Sequence, residues 1–221
     1  MSDRWATFDC YGTLIDWNGA IGGELARLFG GGSATRLLER YHELEPEVQA
    51  EDPERSYRIV LRLTLERLAE SEDLQLPHAE ADALARSLPS WPPFAEVPGA
   101  LEETRARGWR TGILSKTDRD LIAASKARLG VPFDETIAAS EIGSYKPGHR
   151  HWQEFFARTH AERDRHVHVA ASLFHDIAPC RELGIATVWV NRLDETADPE
   201  PTREIADLAP LAAVLDGLVP A

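Results

Sequence analysis

The chain has 221 residues, 43% of them hydrophobic and 28% charged, with a formal net charge of −13. That composition belongs to a globular protein long enough for one large domain or a domain with a sizeable insertion. The acidic balance argues against non-specific binding to nucleic acid or anionic membranes, but leaves room for a small organic anion in a local basic pocket. No run approaches the roughly 18 apolar residues of a membrane span. The opening Met1-Ser2-Asp3-Arg4 runs straight into a strand pattern, so no signal peptide is expected. The two cysteines, Cys10 and Cys180, have no metal-type spacing, and a reducing cytoplasm is the simplest expectation.

Trp5–Asp9 reads as a buried strand. After Leu14 the pattern turns helical, with no convincing strand before about residue 108. Leu37, Tyr41, Leu44 and Val48 recur at helical spacing, as do Ile59, Leu63, Leu65 and Leu68 in a segment that Asp52-Pro53-Glu54 is expected to open. Ala81, Leu84, Ala85 and Leu88 predict a further helix, and Pro89-Ser90-Trp91-Pro92-Pro93 a stiff linker. Beyond it helices are expected at Gly99–Arg107, Arg119–Leu129, His151–Thr159 and Asp176–Leu183. Strands are expected at Arg110–Ser115, Glu135–Ala139, His166–Ala171 and Thr187–Val190. Alternation of this kind predicts an α/β fold with a parallel sheet and crossover helices. The expected organisation is a core of residues 1–14 and 94–221, interrupted by an all-helical insertion over 15–93 that covers the end of the first strand as a lid.

Four chemically capable residues fall near strand carboxyl ends: Asp9, Ser115, Lys146 and Asp176. Open α/β sheets bind ligands at that edge. Gly12, three residues after Asp9, lets the backbone turn sharply and approach a ligand.

In this order, and with a helical insertion after the first of them, these residues resemble the haloacid dehalogenase superfamily over essentially the whole chain. The carrying segments are Asp9-Cys10-Tyr11-Gly12-Thr13-Leu14, Ile113-Leu114-Ser115, Tyr145-Lys146-Pro147, Asp176 and Trp189-Val190-Asn191-Arg192. They are most similar to the (S)-2-haloacid dehalogenase, or type II, branch. The resemblance implies a Rossmann-like core with a helical cap, and Asp9 as nucleophile.

Phosphatases of the superfamily carry a second acid two residues after the nucleophile, where this chain has Tyr11. They also bind Mg²⁺ with acids near the fourth strand, where this chain has Ala171 ahead of Asp176. Displacement of halide needs no proton donor for the leaving group, so the expected reaction is hydrolysis of small 2-haloacids through an Asp9 ester, without a cofactor. The resemblance makes Lys146 the partner of Asp9, Thr13 and Ser115 its orienting groups, and Asp176 the holder of Lys146 or the activator of water. Arg40, three after Leu37 and four before Leu44, lies within an apolar helix face, in a segment similar to the one carrying the family's active-site arginine. It is expected to grip the substrate carboxylate or the halide.

Tyr11, Lys116 and Trp152 complete the expected substrate and halide pocket, Lys116 and Trp152 standing where an asparagine and a tyrosine are usual. Ala171 and Leu173 replace a serine and an asparagine that position water in that branch. His175 replaces an aromatic wall residue and is expected to be neutral, packed or on the surface. The other histidines, His149 and His151 among them, are expected on the surface, and Cys10 is expected to be a core thiol. Two alternatives stay open. One is a Mg²⁺-dependent phosphatase holding the ion with Asp9, the Tyr11 carbonyl and Asp176. The other is a degenerate member that binds an organic anion without turnover. No nucleic-acid or membrane partner is expected, and the resemblance allows a homodimer.

Overall fold

The structure is a computed structural model that describes residues 3–52 and 54–221. Met1 and Ser2 of the N-terminal reading, and Pro53 of the helix-opening reading, lie outside the described residues.

Strand β1 (Arg4–Phe8) leads into four helices, α1 (Trp17–Phe29), α2 (Ala34–Glu51), α3 (Tyr57–Ser71) and α4 (Ala83–Ser87). Then follow α5 (Val97–Ala106), β2 (Trp109–Ser115), α6 (Arg119–Leu129), β3 (Glu135–Ala138), α7 (Ala139–Ile142) and α8 (Arg150–Thr159). The chain ends with β4 (His166–Ala170), α9 (Ala178–Glu182), β5 (Ala186–Val190), β6 (Arg203–Ile205) and α10 (Leu211–Leu218). The six strands form one sheet of order β3-β2-β1-β4-β5-β6, parallel throughout.

The sheet explains the sequence pattern. Strands such as Ala186-Thr187-Val188-Trp189-Val190 are rich in β-branched and aromatic residues, as a sheet covered on both faces requires. Ala6, Phe8 and Ile113 join the larger apolar core, which also takes in the packed faces of α1, α2 and α3. Trp5 and Leu114, on the opposite sheet face, pack with Trp152 and Phe155 of α8 and with Cys180. Strand β1 lies between β2 and β4, so the chain leaves it to opposite sides. That reversal opens a crevice at its carboxyl end, where Asp9 begins the turn.

The outgoing and returning chains meet beside that crevice. Ile15 bridges Pro93, Asp16 N donates to Pro92 O at 2.9 Å, and Phe94 N donates to Leu14 O at 3.1 Å. Helix α2 packs on both α1 and α3. Among the described residues no helix is long and apolar enough to cross a membrane.

Three local expectations are corrected. Helix α3 starts at Tyr57 rather than after Asp52: the carboxylate of Asp118, in the loop after β2, accepts from Tyr57 N and Arg58 N, both at 3.1 Å. A cap supplied by a residue so distant in sequence is invisible to local pattern. The segment expected as one helix over Asp176–Leu183 is a π-helical turn, Leu173–Ile177, followed by α9. Finally, His151, His166 and His168 are fully buried rather than on the surface, while His149 does lie outside, paired with Glu182 at 2.8 Å.

Candidate active site

The turn after β1 is built around Asp9. Its N–H donates to Val169 O at 3.1 Å, which ties it to β4. Leu14 N then closes back onto Cys10 O at 2.8 Å, and Gly12 supplies the left-handed step at φ 88°. Strand alternation turns Cys10 away from Asp9 into the core, as expected. Thr13 sits one turn further on. Its hydroxyl donates to Asp9 Oδ2 at 3.0 Å and accepts from Ala171 N at 2.9 Å, so one side chain orients the carboxylate and joins the ends of β1 and β4.

Lys146 arrives from the loop before α8 with its side chain fully buried. Its ammonium donates to Asp9 Oδ1 at 3.0 Å and to Asp176 Oδ1 at 2.6 Å. Burial alone would make Lys146 a weaker cation, but Asp176 and Asp9 outweigh it and raise its pKa above that of an ordinary lysine. Burial would likewise lift the Asp176 carboxyl. Lys146 and the His168 N–H overcome that penalty and hold it well below the usual carboxylate range.

Behind Asp176 runs a polar chain that sequence reasoning missed. His168 Nε2 lies 2.9 Å from Asp176 Oδ1; Thr7 Oγ1 lies 2.8 Å from His168 Nδ1 and 2.7 Å from His166 Nε2. Burial keeps both imidazoles neutral by lowering their pKa values. The proton directions then follow. A carboxylate only accepts, so His168 donates at Nε2 and accepts at Nδ1 from the Thr7 hydroxyl. Thr7 in turn accepts from His166 Nε2–H, and His166 Nδ1 has no partner among the described residues. The signal was present in His166-Val167-His168-Val169, whose alternation puts both histidines on the sheet face that carries Thr7. Trp152 and Phe155 pack over these rings, at 5.4 Å from His168 and 4.7 Å from His166.

A cavity of about 460 Å³ opens in front of Asp9, between the crevice and the inserted helices. Tyr11 and Lys116 are among its lining residues. The Tyr11 hydroxyl is taken by Ser125 Oγ at 2.9 Å, and its ring stacks on Tyr57. Lys116 Nζ lies 3.0 Å from His175 Nε2, 3.4 Å from Gln49 Oε1 and 4.0 Å from a Glu45 carboxylate oxygen. Burial, with the Lys116 charge beside it, pulls the His175 pKa down to about 3, so its ring is a neutral acceptor at ordinary pH. The cavity also takes in Trp17, His42, Tyr57, Phe94, Ser172 and Arg192, none of which periodicity singled out.

Three expected residues neither line this cavity nor hydrogen-bond Asp9. Arg40 is half-exposed and ion-paired with Glu43 one turn along α2, because it lies at the edge of the buried stripe rather than within it. Trp152 packs against the sheet with Trp5, Leu114 and His168, behind Lys146, whose Nζ lies 5.9 Å from its ring centroid. Ser115 is fully buried with its hydroxyl unpartnered among the described residues; its carbonyl accepts from His151 Nε2 at 3.1 Å. Burial first, and then Lys146, lowers the His151 pKa to about 3.

The donor set fits a divalent cation poorly. Mg²⁺ requires a near-octahedral oxygen shell. Asp9 and Asp176 present carboxylates, but one oxygen of each is already bonded to the Lys146 ammonium, and Ala171 brings no side-chain oxygen. Among the described residues no group of three or more His, Cys, Asp or Glu is placed to hold a metal.

The chain is similar to known proteins along most of its length. The chain is 28% identical to (S)-2-haloacid dehalogenase from Pseudomonas sp. (strain YL), over 93% of this chain and 94% of that protein. It is also 28% identical to glyceraldehyde 3-phosphate phosphatase from Methanothermobacter thermautotrophicus, over 45% of each chain. The structure of L-2-haloacid dehalogenase from Xanthobacter autotrophicus with chloropropionic acid covalently bound superposes with a TM-score of 0.83 at 16% identity, over 97% of this chain and 99% of that one. Residues 4–184 match the family model of haloacid dehalogenase-like hydrolases, and the chain belongs to that family.

Proposed function

We propose that this hydrolase cleaves the carbon–halogen bond of 2-haloacids through an ester on Asp9, with the helices of 15–93 acting as a cap over the site. The carrying observation is Asp9 itself, bonded to the Lys146 ammonium and oriented by Thr13, with Tyr11 rather than an acid two residues on. That arrangement suits a nucleophile whose leaving group needs no proton. It also accords with the names of the dehalogenases that this chain resembles along most of its length.

In the first step an Asp9 oxygen attacks C2 of the acid. The C–O bond forms as the carbon–halogen bond breaks, and halide departs with the bonding pair. Lys116 is the cavity-lining ammonium available to the substrate carboxylate or the departing halide. Esterification removes the Asp9 charge, and Lys146 stays paired with Asp176. Water then attacks the Asp9 carbonyl carbon as Asp176 takes one of its protons; the acyl C–O bond to the substrate breaks, that proton passes to the departing alkoxide to give the 2-hydroxy acid, and the second proton of water leaves to solvent as Asp9 returns to the carboxylate. With Ala171 and Leu173 offering no side-chain donor, Asp176 and Lys146 carry the water step.

The test is halide release from (S)-2-chloropropionate in the presence of chelator, with intact-protein mass spectrometry for an adduct on Asp9. Halide release, lost in Asp9→Asn, is the expected result. Enzyme that is inert in chelator and hydrolyses a phosphate ester once Mg²⁺ is restored would sink the proposal in favour of a phosphatase. An adduct that persists without turnover would mean that the water step has been lost.

A further inference from the structure

We infer that the acid bound here carries an apolar tail of aromatic size beyond C2, with its carboxylate at Lys116. The inference rests on the dehalogenation reading for the reacting carbon, but the tail is argued from the cavity alone. A space of about 460 Å³ falls in the range of sites that enclose ligands of roughly 300–1,000 Å³ pockets, whereas a two- or three-carbon haloacid fills only a small part of it.

Part of the lining is a set of rings, Trp17, His42, Tyr57 and Phe94, in which the indole N–H, the phenol and the imidazole Nε2 already have partners. Trp17 and His42 stack, with centroids 5.0 Å apart and planes at 13°. Trp17 Nε1 donates to the Tyr57 hydroxyl at 3.3 Å, and His42 Nε2 bonds Asn18 Oδ1 at 3.0 Å. Burial keeps His42 neutral by lowering its pKa. Beside the turn that carries Asp9, the Arg192 guanidinium lies 3.6 Å over the Phe94 ring, one of its nitrogens bonded to Thr13 O at 2.9 Å and Glu96 Oε1 at 2.7 Å. A hydroxylated or phosphorylated tail laid on the Trp17, His42, Tyr57 and Phe94 rings would lose its hydration there, and the Asp16, Glu45 and Glu195 carboxylates of the lining would oppose a phosphate. An apolar tail loses nothing and gains the ring contacts.

The polar end is placed by Lys116. Its ammonium rests on the neutral ring of His175 and on Gln49 Oε1, with a Glu45 carboxylate oxygen 4.0 Å away and beyond hydrogen-bond reach, so its third N–H is left for a ligand oxygen. Carboxylate at Lys116, C2 at Asp9 and tail toward Trp17 and Phe94 use the length of the cavity.

Calorimetry with two unhalogenated acids separates the tail from the reaction. 3-Phenylpropionate is expected to bind at least tenfold tighter than propionate. Trp17→Ala and, as a second variant less exposed to folding defects, His42→Ala are each expected to shrink that ratio severalfold, while Lys116→Met weakens 3-phenylpropionate at least tenfold. Equal affinities, binding of neither acid, or a ratio that survives both ring variants overturns the inference. Halide release from (S)-2-chloro-3-phenylpropionate and (S)-2-chloropropionate is measured in parallel. Tail-selective binding with no halide from either acid would keep the inference and defeat the dehalogenation reading; halide from both with no tail preference would do the reverse.

Discussion

Replacing Lys146 with methionine removes one positive charge from between two carboxylates at almost constant volume. The ammonium bonds Asp9 at 3.0 Å and Asp176 at 2.6 Å, and Asp176 is only 1% exposed. Breaking a buried pair from one side costs about 3–5 kcal/mol, because the remaining charge is left without compensation. For a domain of this size that corresponds to a fall in Tm of about 6–20 °C at neutral pH. The sign of the pH dependence is a sharper test. In the wild type Asp176 titrates below its unfolded value, so its contribution is present above about pH 4 and is lost as pH falls toward the folded pKa. Lys146 titrates above its unfolded value, so its contribution is present below about pH 10 and is lost only in strong alkali. In Lys146→Met burial acts on Asp176 without the ammonium, its pKa rises above the unfolded value, and acid stabilises the variant while it destabilises the wild type. The deficit is therefore widest from neutral to mildly alkaline pH and narrows toward pH 4. Thermal unfolding followed by circular dichroism from pH 4 to 9 measures it. A deficit below about 1 kcal/mol at pH 7, or one that does not narrow in acid, would refute the reasoning.

Four further outcomes are expected. Thr13→Ala removes the donor to Asp9 Oδ2 and leaves Ala171 N without its acceptor, so kcat should fall by about tenfold to a hundredfold, with Thr13→Ser restoring most of it. Arg40→Ala breaks only an exposed ion pair and should leave kcat/KM within about twofold; a hundredfold loss would show that Arg40 enters the site during turnover. Asp118→Ala removes the cap of α3 and should cost about 1 kcal/mol, with faster amide exchange at Tyr57 and Arg58. His175 should remain neutral to about pH 4 by NMR titration; Lys116→Met, which removes a neighbouring charge but not the burial, should move its midpoint upward, and an unmoved midpoint would contradict the contact.

Much of the sheet was legible because strand and helix periods are local. The stretch Arg110–Ser115 reads as a strand in isolation, and five of the six strands were placed within about two residues of their observed ends. The exception is β6, whose three residues become a strand only because Val188, Trp189 and Val190 of β5 offer them an edge. The stretch after Leu14 reads as helical, but the bounds of α1 do not: its glycines dilute the apolar repeat, and its start depends on Asp16 Oδ1 accepting from Gly19 N at 2.9 Å.

The sequence by itself determined which residues reach the reacting edge. In a parallel sheet every strand delivers its carboxyl end to the same side, so Asp9, Lys146 and Asp176 converge once the alternation of strands and helices is read. Only the tertiary structure decided the rest. Helical spacing places Arg40 near an apolar stripe but cannot say that Glu43 holds it outside the cavity. Strand alternation puts His168 on a face, but its bond to Asp176 needs the end of β4 and the π-helical turn to close on each other. The ring-lined wall joins Trp17, His42 and Tyr57 from three different helices to Phe94 from the returning chain. Contacts of that range depend on how the inserted helices settle over the sheet, which is set by packing rather than by local pattern.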